Sequence, residues 1–195
     1  MKIALRAGVL TLAVSVMGFG ATWKIDTAHS SAGFAVKHLG VSTVHGAFAK
    51  VNGVVVYDTA NPAAGSVNVT IDAGSVSTRD DQRDNDLRSP NFFDVAKFPT
   101  LTFVSKKITP DASGKLTVVG DLTIHGVTKE AVLNVEGPSG AIKDPWGNTR
   151  VGASATTTIH RKDFGITWNH VLDNGGVVVS DDVAIDIEVE LVQAK

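Results

Sequence analysis

The run Asp182-Val183-Ala184-Ile185-Asp186-Ile187-Glu188-Val189-Glu190-Leu191 constrains the fold more than any other part of the chain. Val183, Ile185, Ile187, Val189 and Leu191 fall on one side, and Asp182, Asp186, Glu188 and Glu190 on the other. Period two over this length describes a strand with one apolar and one wet face. Ser66 to Asp72 alternates in the same way, as do Leu101 and Phe103 among their threonines. Leu116, Val118, Leu122 and Ile124 continue the pattern around Gly120, a point where the strand is expected to bend. Ala131 to Val135 reads as the returning partner across 126–129, and Val151, Ala153, Ala155, Thr157 and Ile159 give a strand of small residues.

Turn formers separate these runs: Asn61-Pro62-Ala63-Ala64-Gly65, Asp111-Ala112-Ser113-Gly114 and Asp173-Asn174-Gly175-Gly176. Strands joined by short turns, each with one apolar face, make an antiparallel sandwich or a barrel. Alternation does not choose between them, although closure removes exposed edges and eight strands leave room for side chains or one small ligand. A chain of 195 residues that is 43% hydrophobic and 19% charged suits one ordered domain, and no repeat of solenoid length occurs.

The N-terminus follows another rule. Lys2 and Arg6 precede 17 uncharged residues from Ala7 to Trp23, interrupted by the small residues Gly18, Gly20 and Ala21. That order of basic, apolar and small residues marks a cleavable secretory signal over residues 1–20, with cleavage after Gly20 or Ala21. Residues 22–195 then form a single domain. Losing Lys2 and Arg6 leaves 16 basic residues against 20 acidic ones, a formal charge of −4, which disfavours nucleic acid as a partner. With no cysteine, an exported chain of this size holds together by burial alone, as suits a periplasmic protein.

Motifs for chemistry are scarce. There is no G-x-S-x-G, P-loop, H-E-x-x-H or C-x-x-C, and the six histidines show no metal-site spacing. No catalytic residue, metal or cofactor is expected. One stretch does stand apart: Arg79 to Arg88 carries seven charges in ten residues and leads into Phe92 and Phe93, with Phe98 close behind. Thr78 and Asp81 have capping-box spacing, Asp84 precedes Arg88 by four, and Ser89-Pro90 stops the run, so a short helix is expected. It is either a solvated surface helix or a lid. Phenylalanines left exposed forfeit about 1.5–3 kcal/mol each, so they pack beneath their loop or cover a barrel mouth.

Several ordered blocks resemble the YceI-like family of lipocalin-like periplasmic proteins that bind polyisoprenoids. They are Trp23-Lys24-Ile25-Asp26; the run from Phe34 to Val44 and on to Gly46-Ala47-Phe48; Arg83-Asp84 through Leu87-Arg88-Ser89 to Phe92-Phe93-Asp94; Gly120-Asp121-Leu122-Thr123-Ile124; Asp144-Pro145-Trp146-Gly147; and Asp163-Phe164-Gly165. The resemblance spans essentially all of 22–195. It implies an all-β, eight-stranded antiparallel lipocalin-like barrel around an apolar tunnel, with a short helical lid at about 78–93. It also implies a polyisoprenoid lipid ligand of quinone or prenyl-phosphate type. Phe34, Val36, Phe48, Phe92, Phe93, Phe98, Phe103, Phe164 and Trp168 are expected along the ligand, with His38, Arg79, Arg83 and Trp146 near the mouth. Where many members carry His, this chain has Asp86, so a headgroup role is not carried over to that position.

Each buried methylene contributes about 0.8 kcal/mol, so a few isoprene units drive binding against the cost of association. Exchange of such a lipid implies transient contact with a membrane or membrane protein; the sequence leaves the oligomeric state open. Two other functions are compatible with a barrel. An enzyme of isomerase or hydrolase type would place a titratable pair inside, and a ligand-free stress or interaction module would fill its interior with large side chains.

Overall fold

A computed structural model describes residues 20–173 and 175–195, so the expected signal segment lies, apart from its last residue, outside the described residues. Twelve strands follow in order: β1 (Ala21–Ile25), β2 (Ser31–His38), β3 (Ser42–Phe48), β4 (Val51–Tyr57), β5 (Ser66–Asp72), β6 (Val76–Ser77), β7 (Thr100–Pro110), β8 (Leu116–Ile124), β9 (Val127–Glu136), β10 (Ile142–Lys143), β11 (Thr149–His160) and β12 (Val179–Gln193). Eight of them close an antiparallel ring, β11-β9-β8-β7-β5-β4-β1-β12, because β11 pairs with β9 on one edge and with β12 on the other. This is the eight-stranded barrel that the resemblance implies.

One rim extends beyond the ring. β12 pairs with β11 from Asp182 to Val192; its other edge pairs with β1 through Leu191–Gln193 and with β2 through Val179–Glu188. β1 and β2 therefore share one staggered position around β12, and β2 carries β3 and β6 beyond it. Alternation did not phase the chain from Ala21 to Tyr57, which adds four strands.

The phased alternations point inward. Val183 to Leu191 on β12, Val151 to Ile159 on β11, Val67, Val69 and Ile71 on β5, and Leu116, Val118, Leu122 and Ile124 on β8 all face the interior. A bulge between Ser105 and Lys107 shifts the register of β7, so Leu101 and Phe103 before it and Ile108 after it face the same way. Gly120 has a reason beyond strand bending: a Cβ there would lie 2.5 Å from Phe103 Cζ and 2.5 Å from the Val104 carbonyl oxygen. Absence of a side chain makes the slot that the Phe103 ring fills. The β8–β9 connection is also tighter than the expected four residues. Only His125 (φ 52°) and Gly126 (φ 73°) intervene, both in the left-handed region that a two-residue hairpin of this hand demands.

The charged stretch does form a helix, α1 (Asp81–Arg88), but its cap and pairing differ from expectation. Asp80 is the N-cap, accepting from the Arg83 N–H at 3.0 Å, because Thr78 is engaged elsewhere: its N–H and hydroxyl both donate to Asp84 Oδ1, at 2.7 and 2.6 Å. Arg83 Nε donates to Thr78 Oγ1 at 2.7 Å. Arg88 passes over Asp84 and donates to the carbonyls of Gly74 (3.0 Å) and Val76 (2.8 Å). Helical spacing therefore identified residues that bond to the strand end beside the helix and pin α1 on the rim. Asp84 is buried; burial raises its carboxyl, but the Thr78 hydrogen bonds outweigh this and hold it below its ordinary value.

Gly120→Ala tests the slot. In a strand, Ala for Gly ordinarily stabilises; here it should destabilise by about 1–3 kcal/mol through overpacking against Phe103, measured as a lower denaturation midpoint.

Candidate ligand cavity

The inward face of the ring does not meet in the middle. Along β11 the inward positions are Val151, Ala153, Ala155, Thr157 and Ile159, too small to span an eight-stranded interior, and a cavity of about 270 Å³ remains. One end rests on a cluster of Trp23, Val151 and Leu191. The other lies among Phe48, Phe92, Phe164 and their neighbours, beneath the segment that follows α1. Both arms of the earlier question about the phenylalanines apply together, since Phe92 and Phe93 line the cavity and also pack in the main core, Phe93 edge-on to Phe48 at 5.3 Å.

Of the residues expected along the ligand, Phe34, Val36, Phe48, Phe92, Phe93, Phe103 and Phe164 lie on the wall. Six others do not. Phe98 covers Gly126 and meets the His125 ring edge-on, with centroids 4.7 Å apart, off the cavity wall. Trp168 packs against the outer side of Phe92, with ring centroids 5.3 Å apart. Arg83 is held by Thr78, Arg79 is exposed, and His38 ends β2 at the rim. Trp146 stands 79% exposed on the turn before β11. Asp86 is also off the wall, receiving hydrogen bonds from Ser89 and Asn91 in the turn after α1. Aromatic and charged residues draw the eye in a sequence, whereas most of this wall is plain Val, Ile, Leu and Ala.

Arg161 is absent from the residues expected at the site. It lies on the cavity wall yet is only 4% exposed, in a single 3-10 turn (Arg161–Phe164) closed by Gly165 at φ 77°. All five of its N–H groups have acceptors: Nε bonds the Ser180 carbonyl, Nη1 those of Ile166 and Trp168, and Nη2 the Val179 carbonyl and Asp181 Oδ1. Burial lowers its pKa, and Asp181 works against that. This guanidinium ties residues 166–181 to the barrel and has no donor left for a guest. A buried arginine served by distant carbonyls leaves no local pattern to find.

A second arginine organises the opposite end. Arg150 Nη1 donates to Asp26 Oδ2 (2.6 Å) and to Glu190 Oε1, and Nε to Asp144 Oδ2 (2.7 Å), joining the end of β1, the turn before β11 and the end of β12. Asp26, His29 and Glu190 hold three metal-type ligand atoms within 4.8 Å, but the guanidinium already bonds two of the three residues. Arg150, and then His29, hold the Asp26 carboxyl down at about 2, and Arg150 likewise pulls Asp144 below the usual carboxylate range. Among the described residues that line the cavity there is no Asp, Glu or His.

A barrel closed by these strands, with a rim helix and an apolar interior, matches known proteins. The model of the YceI-like domain matches residues 23–191. A UPF0312 protein of Vibrio cholerae is 44% identical over 170 residues, covering 85% of this chain and 89% of its own length. The chain belongs to the YceI-like domain family. A crystal structure of the Campylobacter jejuni YceI protein superposes with a TM-score of 0.68 at 31% identity, covering 98% of this chain and 100% of that one. A structure described as a polyisoprenoid binding domain from Saccharophagus degradans shares the YceI-like fold, with a TM-score of 0.63 over 89% of this chain and 99% of that one, at 18% identity.

The Arg150 cluster predicts an acid limb. Asp26 sits at about 2 in the folded chain against an ordinary 3.8, so its stabilisation is complete above about pH 4 and disappears as pH falls towards 2. Arg150→Gln should lower the Tm at neutral pH, and the gap from wild type should narrow as pH falls from about 4 to about 2, with the share held through Asp144 lost last. A gap that stays constant down to pH 2 would show that Arg150 acts through packing alone.

Proposed function

We propose that this protein is exported to the periplasm and holds a polyisoprenoid chain, of quinone or prenyl-phosphate type, in its barrel for carriage or storage. The observation that carries the reading is the cavity: apolar along its length, about 270 Å³, and with the single arginine on its wall fully engaged by the protein itself. That volume is just below the usual range of small-molecule pockets, and it suits a slender chain. With no donor left on the one charged side chain of the wall, the polar end of the guest stays at the rim. The Saccharophagus degradans domain supports the ligand class, and the basic–apolar–small N-terminus and the lack of cysteine support export.

The rival readings fare worse. An acid–base or nucleophilic enzyme needs a titratable pair facing its substrate, and the acids of β12 point to water. A packed, ligand-free barrel would not leave this void lined by Ala153 and Ala155.

Native mass spectrometry of the mature protein from its own periplasm, followed by organic extraction, tests the reading directly. A discrete adduct that extracts as a long isoprenoid is expected; bare protein that also refuses prenyl quinones and prenyl phosphates would overturn it. Ala155→Phe, which fills the void, should reduce uptake at least tenfold while leaving Tm unchanged or higher. Replacing Phe92 and Phe93 together by Ala should reduce both uptake and stability, the latter by about 3–5 kcal/mol or more, since both rings belong to the core.

A further inference from the structure

Two loops meet beside the lid end of the cavity. The β2–β3 turn carries Leu39 and Val41, and the segment before β12 carries Val171 and Val177; Val41 is 85% and Val171 67% exposed. The loops are joined. The Leu39 N–H donates to the Val178 carbonyl at 2.8 Å, the Val178 N–H to the His170 carbonyl at 3.1 Å, and Val171 bridges Val177. Trp168, 37% exposed, continues the patch to Phe92, which lines the cavity. The exposed apolar side chains of both loops thus lie on one joined rim, and Trp168 links that rim to Phe92 on the cavity wall.

The turn itself departs from local rules in a telling way. Leu39 has φ 55° and Gly40 φ 68°. The left-handed position suits Asn, Asp or Gly, and a leucine there bears strain while its side chain faces water. A residue wrong both for its backbone and for its exposure marks a position kept for something other than stability.

We propose that this tip docks on a phospholipid bilayer, seating the lid end of the barrel at the membrane so that a lipid passes between bilayer and cavity along Trp168 and Phe92; this rests on the carrier reading above. Three observations favour a bilayer as the occupant. First, the patch adjoins the cavity wall, because Trp168 packs on Phe92, which lines the interior. Second, five side chains fall well short of the roughly 20–30 residues a side that a stable protein interface uses, whereas insertion into the headgroup region needs apolar reach without a shaped partner. Third, the charges beside the tip balance, Lys37 on β2 against Asp173, and Arg161 and Lys162 against Asp181 and Asp182 at the start of β12, so the tip carries no net negative charge to repel anionic headgroups.

The test uses the mature chain and floating vesicles of phosphatidylethanolamine and phosphatidylglycerol at 3:1. Leu39→Asn with Val41→Thr relieves the strained turn, so the variant should fold with an equal or higher Tm. Its vesicle-bound fraction and its rate of prenyl-quinone transfer from vesicles should fall at least tenfold, while uptake of the same quinone from dilute ethanol is unchanged. Val104→Thr with Ile142→Thr removes exposed apolar side chains elsewhere and should leave vesicle binding as in wild type. Equal vesicle binding by wild type and the tip variant, no binding by wild type, or wild-type self-association abolished by the tip variant would overturn the proposal. If ethanol-delivered quinone still enters the barrel in these cases, the carrier reading survives. A wild type that takes up no quinone by either route overturns the carrier reading and this proposal with it.

Discussion

A closed ring of strands has one interior, and the apolar face of each strand turns into it whether or not the space there is filled. That constraint governs this protein. The inward faces of β5, β8, β11 and β12 are almost wholly aliphatic, and β11 adds alanines where a packed barrel would place larger groups. The resulting void is dry by its chemistry: water there would find few polar partners, and an apolar guest would find many contacts. Closing the ring also leaves both edges of each of its eight strands paired without a guest.

The two ends of the barrel are finished by different means. At one, Arg150 gathers three carboxylates over a plug of Trp23, Val151 and Leu191, an ionic clasp between distant strand ends. At the other, α1 is fixed by Thr78, Arg83 and Arg88 to the backbone of the rim, and Arg161 fixes the loop beside it. Arg88 and Arg161 bond mainly to carbonyls of the main chain. They hold loops in place and leave the lining to side chains with nothing to exchange but surface.

How much of this was legible in the sequence depends on whether the signal is local. Val183 to Leu191 announces its face by period two, and every strand phased that way does turn its apolar side inward. The family blocks supplied the closure that alternation cannot. The early strands escaped notice because Gly33, Gly46 and Gly53 occupy places where neighbouring strands or rings come too close for a side chain, which breaks the pattern. Of the expected residues, the large apolar ones such as Phe34, Phe103 and Phe164 lie on the cavity wall, whereas Arg79 and Trp146, expected near the mouth for charge or size, stand exposed off it. Arg150 and Arg161 act through partners up to 124 residues away, a relation no spacing rule encodes.

The pairing of β12 has a consequence in time. This strand follows in sequence every strand it touches, yet it pairs with β1, β2 and β11 and supplies the seam on which the ring shuts. Until it arrives, β1 and β2 lack a shared neighbour and the aliphatic faces of the other strands stand open to solvent. Contacts of such long sequence separation form slowly, because the loop they close must be ordered first. A chain threaded N-terminus first through a membrane would therefore emerge as a half-pipe and become a vessel only at the end, which makes the interval before closure the time when it most needs protection from aggregation.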